Sequence, residues 1–224
     1  MAASKKPQSV QVTDGPERRA VLEPLEIREA DDVATIRGYA AVFNAETVIW
    51  GLFREQIAPG AFRDALKSSD TVALFNHDPN YPLARESNDT LRLSEDKRGL
   101  KYEADLDLTD PDAQKVRSKI ERGTVKGSSF GFTVEEDEWD ESEMKQGKMP
   151  LRTITRIGEL YDVSPVTFPA YPQTSVSARS KEKALALMAA AGVQPAVPSV
   201  SADVTEREAA RTAITAARAW VPQP

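Results

Sequence analysis

The segment Val-Lys-Gly-Ser-Ser-Phe-Gly-Phe-Thr-Val-Glu-Glu-Asp-Glu, residues 125–138, constrains the architecture more than any other. Phe130, Phe132 and Val134 alternate with small or polar residues. That period of two is the signature of a strand with one buried face. Gly127 and Gly131 each lie two residues from Ser129, so the letters satisfy G-x-S-x-G. In an α/β-hydrolase, however, that motif opens a helix, and here a strand follows.

Working outward, residues 151–168 (LRTITRIGELYDVSPVTF) read as one or two further strands, reached through an acidic loop over 135–149. Upstream, Asp110 and Pro111 predict a helix start, with Val116 and Ile120 on one face and Gly123 at the end. Residues 71–76 (TVALFN) form a strand running into His77. Residues 83–86, 90–95 and 99–107 are strand candidates, the last two joined by a turn at Asp96-Lys97-Arg98-Gly99. Residues 21–29 and 33–43 give a strand pair around Asp31 and Asp32, residues 44–57 a loop, and Ala61 to Lys67 a short helix. The order is strands, one helix, strands. It predicts an α+β domain with an antiparallel, barrel-like β core, closed or half-closed, and flanking helices.

Composition changes at both ends. Residues 1–20 are rich in Lys, Ser, Gln, Pro and Asp and read as a flexible arm. The core domain is placed at 21–178. Residues 179–224 read as a helical or disordered extension, with Ala-rich helices over 181–191 and 205–220 and a Pro/Ser/Val linker between them. The chain has 224 residues, 40% of them hydrophobic, which suffices for one sizeable core.

The formal net charge is −6, with charges interspersed, so phosphate neutralisation on a nucleic acid is disfavoured. With no Cys, disulfides, thiolate zinc sites and cysteine catalysis are excluded. Met1 to Val12 lacks the apolar stretch of a secretory signal, and no apolar run is long enough to span a bilayer. No metal or other cofactor is expected.

Chemistry narrows to three places. His77 is the sole histidine, so any imidazole catalysis is its own. It follows an apolar strand, at the kind of strand end where a scaffold presents functional groups. An imidazole titrates near neutrality and can take a proton from a hydroxyl. A turn histidine without a role is the competing reading. Ser129, beside Ser128, opens an alternating strand. A serine hydroxyl becomes a useful nucleophile only when a base accepts its proton. A plain Gly/Ser turn would look the same. Asp162 and Glu159 are acids in an otherwise apolar strand, and either could orient the imidazole. Alternation puts Leu160, Asp162 and Ser164 on one face and Glu159, Tyr161 and Val163 on the other, so a regular strand offers one acid to the site.

Taken together, Asn76-His77-Asp78, the run from Val125 to Phe132, and the run from Tyr161 to Pro172 resemble the prohead maturation proteases of tailed bacteriophages. Arg37-Gly38-Tyr39-Ala40 and Ala58-Pro59-Gly60-Ala61-Phe62 match the same family's opening, and the resemblance covers roughly residues 23–178. It implies a herpesvirus-protease-like fold, with His77 as base, Ser129 as nucleophile and Asp162 as the third member, where relatives usually carry Glu. It implies a serine endopeptidase that cuts the scaffolding segment of the major capsid protein, and itself, inside the prohead in the host cytoplasm. Self-association is a further expectation; a membrane or a specific nucleic acid is not. Two readings compete with it: a non-catalytic scaffold or assembly protein that keeps an inactive protease domain, and a hydrolase of small esters.

Overall fold

The computed structural model describes residues 10–11, 16–30, 33–169 and 177–193. Its strands are β1 (Val10–Gln11), β2 (Glu17–Val21), β3 (Glu26–Ala30), β4 (Val33–Val42), β5 (Thr47–Ile49), β6 (Phe53–Ile57), β7 (Val72–Phe75), β8 (Asp78–Arg85), β9 (Leu91–Glu95), β10 (Gly99–Leu106), β11 (Gly127–Asp140) and β12 (Leu151–Val166). Its helices are α1 (Ala65–Ser68), α2 (Pro111–Glu121) and α3 (Ala178–Ala190). None of them is long and apolar enough to cross a bilayer.

β11 and β12 form the spine of an eight-stranded sheet, paired antiparallel from Gly127 opposite Val166 to Asp140 opposite Leu151. β1 and β2 pair antiparallel with β11. β6 and β7 both run parallel to β12, each carrying a hairpin partner, β5 and β8. A second sheet has the order β3-β4-β10-β9 and is wholly antiparallel.

The mixed, strand-rich α+β class agrees with the sequence, but two details do not. Among the described residues the strands close no barrel, and the large sheet is not purely antiparallel. β12 is 16 residues long, so β6 takes one end and β7 the other, each after a crossover. Side-chain periodicity identifies a strand but carries nothing about the direction of its neighbour.

Two loops are also corrected. The stretch 44–57 holds the β5–β6 hairpin, in which Phe53, Glu55 and Ile57 all point inward. A buried glutamate among core positions hides that alternation. β11 continues to Asp140 instead of ending in an acidic loop, because its acids meet arginines on β12: Asp137 with Arg152 and Glu136 with Arg156. The second Ala-rich helix, at 205–220, lies outside the described residues.

α2 follows the sequence closely. The Asp110 side chain accepts from the Asp112 amide at 2.9 Å, and Ala113, Val116 and Ile120 are buried. The core also contains Phe62, Phe130 and Phe132, whose ring centroids lie 5.5 Å (Phe62–Phe130) and 4.6 Å (Phe130–Phe132) apart. Such aromatic pairs contribute about 0.5–1.5 kcal/mol each beyond area burial. They fix which face of β11 is inside, and so turn Ser129 and Gly131 to the other face.

Candidate active site

β7 and β8 form a hairpin in which Phe75 lies opposite Asp78, leaving Asn76 and His77 as a two-residue turn. Both have positive φ, 54° and 59°. This is the type I′ arrangement that suits the right-handed twist of the flanking strands. Asn and His are among the residues that tolerate it. The turn is fastened to the end of β12. The Asn76 amide donates to the Pro165 carbonyl at 3.1 Å, and its side-chain oxygen accepts from the Thr167 amide at 3.0 Å. The His77 amide donates to Ser164 Oγ at 3.3 Å.

This places the imidazole over the outer face of the β11–β12 ribbon. His77 Nε2 lies 2.6 Å from Ser129 Oγ, and Nδ1 lies 2.6 Å from Asp162 Oδ2. The ribbon register brings the rest together: Ser129 sits opposite Ser164, and Gly131 opposite Asp162. Ser164 Oγ donates to Asp162 Oδ2 at 2.7 Å, so that oxygen meets the serine and the imidazole together. A Cβ on Gly131 would come 2.5 Å from Asp162 Oδ1. Gly131 therefore provides the space in which the carboxylate sits.

The other candidates point elsewhere. Ser128 faces the core, 2.9 Å from the Tyr102 hydroxyl. Burial raises the Tyr102 pKa against the opposing pull of that hydrogen bond, so the phenol stays neutral. Glu159 is exposed and lies away from the imidazole, beside Thr133, whose Oγ1 accepts from its amide at 3.0 Å. Asp162 is thus the acid of the pair that meets the imidazole.

Ser129, His77 and Asp162 are only 1%, 6% and 6% exposed. Ser129 Oγ also lies 2.8 Å from the carbonyl oxygen of Arg19 on β2. With Asp162 as a carboxylate accepting from Nδ1–H, Nε2 is left with a lone pair facing Ser129. The single hydroxyl proton then has two acceptors, Nε2 and the Arg19 carbonyl. A carboxylate, an imidazole and a hydroxyl in line can move a proton off the hydroxyl and so generate a nucleophile.

Sequence reasoning missed Ser164 as a partner of the acid, Asn76 as the anchor of the turn, and Arg19 altogether. Ser164 could have been found, since it shares a strand face with Asp162. Arg19 offered no signal.

Residues 23–188 match the model of the caudovirus prohead serine protease family. The prohead protease of Enterobacteria phage HK97 is 32% identical over 142 residues, which are 63% of this chain and 58% of that protein. The solved structure of the bacteriophage T4 capsid assembly protease aligns with a TM-score of 0.48 at 12% identity, covering 69% of this chain and 98% of that one.

Proposed function

We propose, for a chain that belongs to the caudovirus prohead serine protease family, that it is the endopeptidase of an assembling phage prohead, cutting the scaffolding segment of the major capsid protein and its own chain. The observation that carries this reading is the in-line contact of Ser129 Oγ, the His77 ring and the Asp162 carboxylate, 2.6 Å at each link. Ser129 attacks the scissile carbonyl as its proton passes to His77 Nε2. His77 then protonates the leaving amine, and water hydrolyses the acyl-enzyme. Asp162 holds the imidazole in the required tautomer and stabilises the imidazolium. General base assistance of this kind contributes roughly 10²–10⁴-fold in rate.

The same reading assigns the protease domain to residues 21–178, with 1–20 as an arm, although its residues 17–20 lie in β2 against β11 and so belong to the sheet, and 179–224 as an extension. It also carries the herpesvirus-protease affinity of the fold and places the protein inside the prohead in the host cytoplasm. The test is co-expression with the phage's capsid protein, read by intact mass. Truncation of both chains is expected, and it is expected to stop in Ser129→Ala and in His77→Ala. A chain that co-assembles with capsid protein while neither is cut would replace this reading with that of an inactive scaffold.

A further inference from the structure

β2 lies along β11 with Ala20 opposite Ser129. Ser129 Oγ reaches the Arg19 carbonyl oxygen at 2.8 Å. A carbonyl carbon is about 1.2 Å from its oxygen, so the Arg19 carbon lies within about 4 Å of the nucleophile. An extended peptide paired with the nucleophile strand, its carbonyl at the hydroxyl, is the arrangement of a bound substrate strand.

The side chain of that residue is held with equal definition. Arg19 turns to the inner face, where Nε donates to Glu55 Oε1 at 2.5 Å and Nη2 to Glu55 Oε2 at 2.8 Å. This two-pronged contact suits a guanidinium and is lost with a neutral or acidic side chain. Glu17 Oε2 accepts from Nη2 at 2.5 Å. Ala41, Thr47, Ile49 and Phe130 help to line the recess. Arg152 compensates part of the Glu55 charge, at 3.0 Å, and Arg19 supplies the rest.

We propose that the Arg19–Ala20 bond is a self-cleavage site, and that Glu55 selects a basic side chain on the acyl side of the scissile bond. The proposal rests on the protease reading above and adds its substrate preference. The step balances without a cofactor. The Oγ–carbon bond forms as the Ser129 proton passes to His77 Nε2. The carbon–nitrogen bond to Ala20 breaks as His77 returns that proton to the nitrogen. Water then hydrolyses the ester, leaving a carboxylate on Arg19 and a free amine on Ala20. In the resting arrangement the Arg19 carbonyl competes with Nε2 for the hydroxyl proton, so attack begins when that proton turns to the imidazole. The cut segment stays held through Arg19 and Glu17, so only denaturing conditions reveal it.

The full chain and its Ser129→Ala variant are incubated, denatured, and read by intact mass and N-terminal sequencing. In parallel the full chain is given the peptide GPERRAVLEP, residues 15–24, and the same peptide with Glu at the position of Arg19. Expected are a fragment beginning at Ala20 from the unmodified chain alone and peptide cleavage after the second Arg. The Glu peptide is expected to be cut at least about 100-fold more slowly, because it leaves a buried carboxylate unpaired. Glu55→Gln should shrink that ratio about tenfold or more, since a neutral amide no longer distinguishes the two charges. Ser129-dependent cutting of capsid protein with the Arg19–Ala20 bond and both peptides intact overturns this proposal and leaves the protease standing. Equal rates on the two peptides overturn the role of Glu55. Absence of all Ser129-dependent cleavage overturns both readings together.

Discussion

The β11–β12 ribbon carries two buried polar clusters that differ in kind. One is the line of Ser129, His77 and Asp162, with Ser164 beside it. The other is a cage of Glu17, Arg19, Glu55, Asp137 and Arg152, in which two guanidiniums face three carboxylates. Arg152 Nε reaches Asp137 at 2.7 Å, and its Nη1 reaches Glu55 at 3.0 Å and Glu17 at 3.1 Å. Burial works to lower the pKa of Arg19 and of Arg152. The surrounding carboxylates, Glu55 first for Arg19 and Glu17 first for Arg152, more than offset it, and both end above the ordinary value. The cage's two guanidiniums therefore stay charged and have no proton to exchange. The line has a hydroxyl that can pass its proton to an imidazole, and a carboxylate that orients that imidazole. On the proposed reading, burial of charge thus serves structure in one cluster and chemistry in the other, and the distinguishing feature is whether a proton can move. The two are linked all the same, because the cage holds the strand that covers Ser129.

That contrast can be broken at either end. The largest effect is expected from Asp162→Asn, which keeps the shape of the acid but favours the wrong imidazole tautomer. Activity on a peptide substrate, as kcat/KM, should fall about 10⁴-fold while the unfolding temperature barely moves. A loss below tenfold would mean that Asp162 does not set the imidazole tautomer. Next is Arg152→Met in the cage. It leaves Asp137 without its guanidinium and three buried carboxylates facing Arg19 alone, and should remove about 3–5 kcal/mol from the unfolding free energy in urea. An effect under about 1 kcal/mol would show that the cage is not a closed charge system. Smaller is Gly131→Ala, whose added carbon meets Asp162 Oδ1 at 2.5 Å. Displacing the acid by this much should cost about 10²-fold in activity, with only about 1–3 kcal/mol of overpacking. Full activity in that variant would show the carboxylate free to shift aside.

The two clusters also differ in how far the sequence revealed them. His77 and the Ser128–Ser129 pair stood at the ends of clear strands, and strand alternation already put Asp162 and Ser164 together. The cage was not legible. Glu17, Glu55 and Asp137 resemble ordinary surface acids, and Glu17 and Arg152 lie 135 residues apart. A buried charge even misdirected the reading, since Glu55 at a core position made the β5–β6 hairpin look like a loop. Alternation misplaced Leu160, however. The bulge where Gly131 meets Asp162 and Phe132 meets Leu160 turns Leu160 into the core with Val163 and leaves Asp162 on the outer face. Alternation also said nothing of the parallel partners β6 and β7. What was missed depends on which strands become neighbours, and local periodicity carries no trace of that.

The smallest effect expected is on the link between the clusters, and its sign follows from Glu17. Burial would raise the Glu17 pKa, but Arg19 and Arg152 outweigh it and hold it below the ordinary 4.5. A depressed carboxylate pKa stabilises the fold above the unfolded value, and that stabilisation fades as pH falls through the folded one. Lowering the pH from neutrality should therefore leave β2 in place until below about 4.5 and then loosen its hold on the cage. Amide exchange over residues 17–21, corrected for the intrinsic pH dependence, should accelerate there while the paired centre of β11 and β12 remains protected. Glu17→Gln removes the titrating group and should flatten this step. If β2 and the spine instead open together in both proteins, the strand is an integral part of the sheet, and the cage contributes to global stability without separately governing the cover over Ser129.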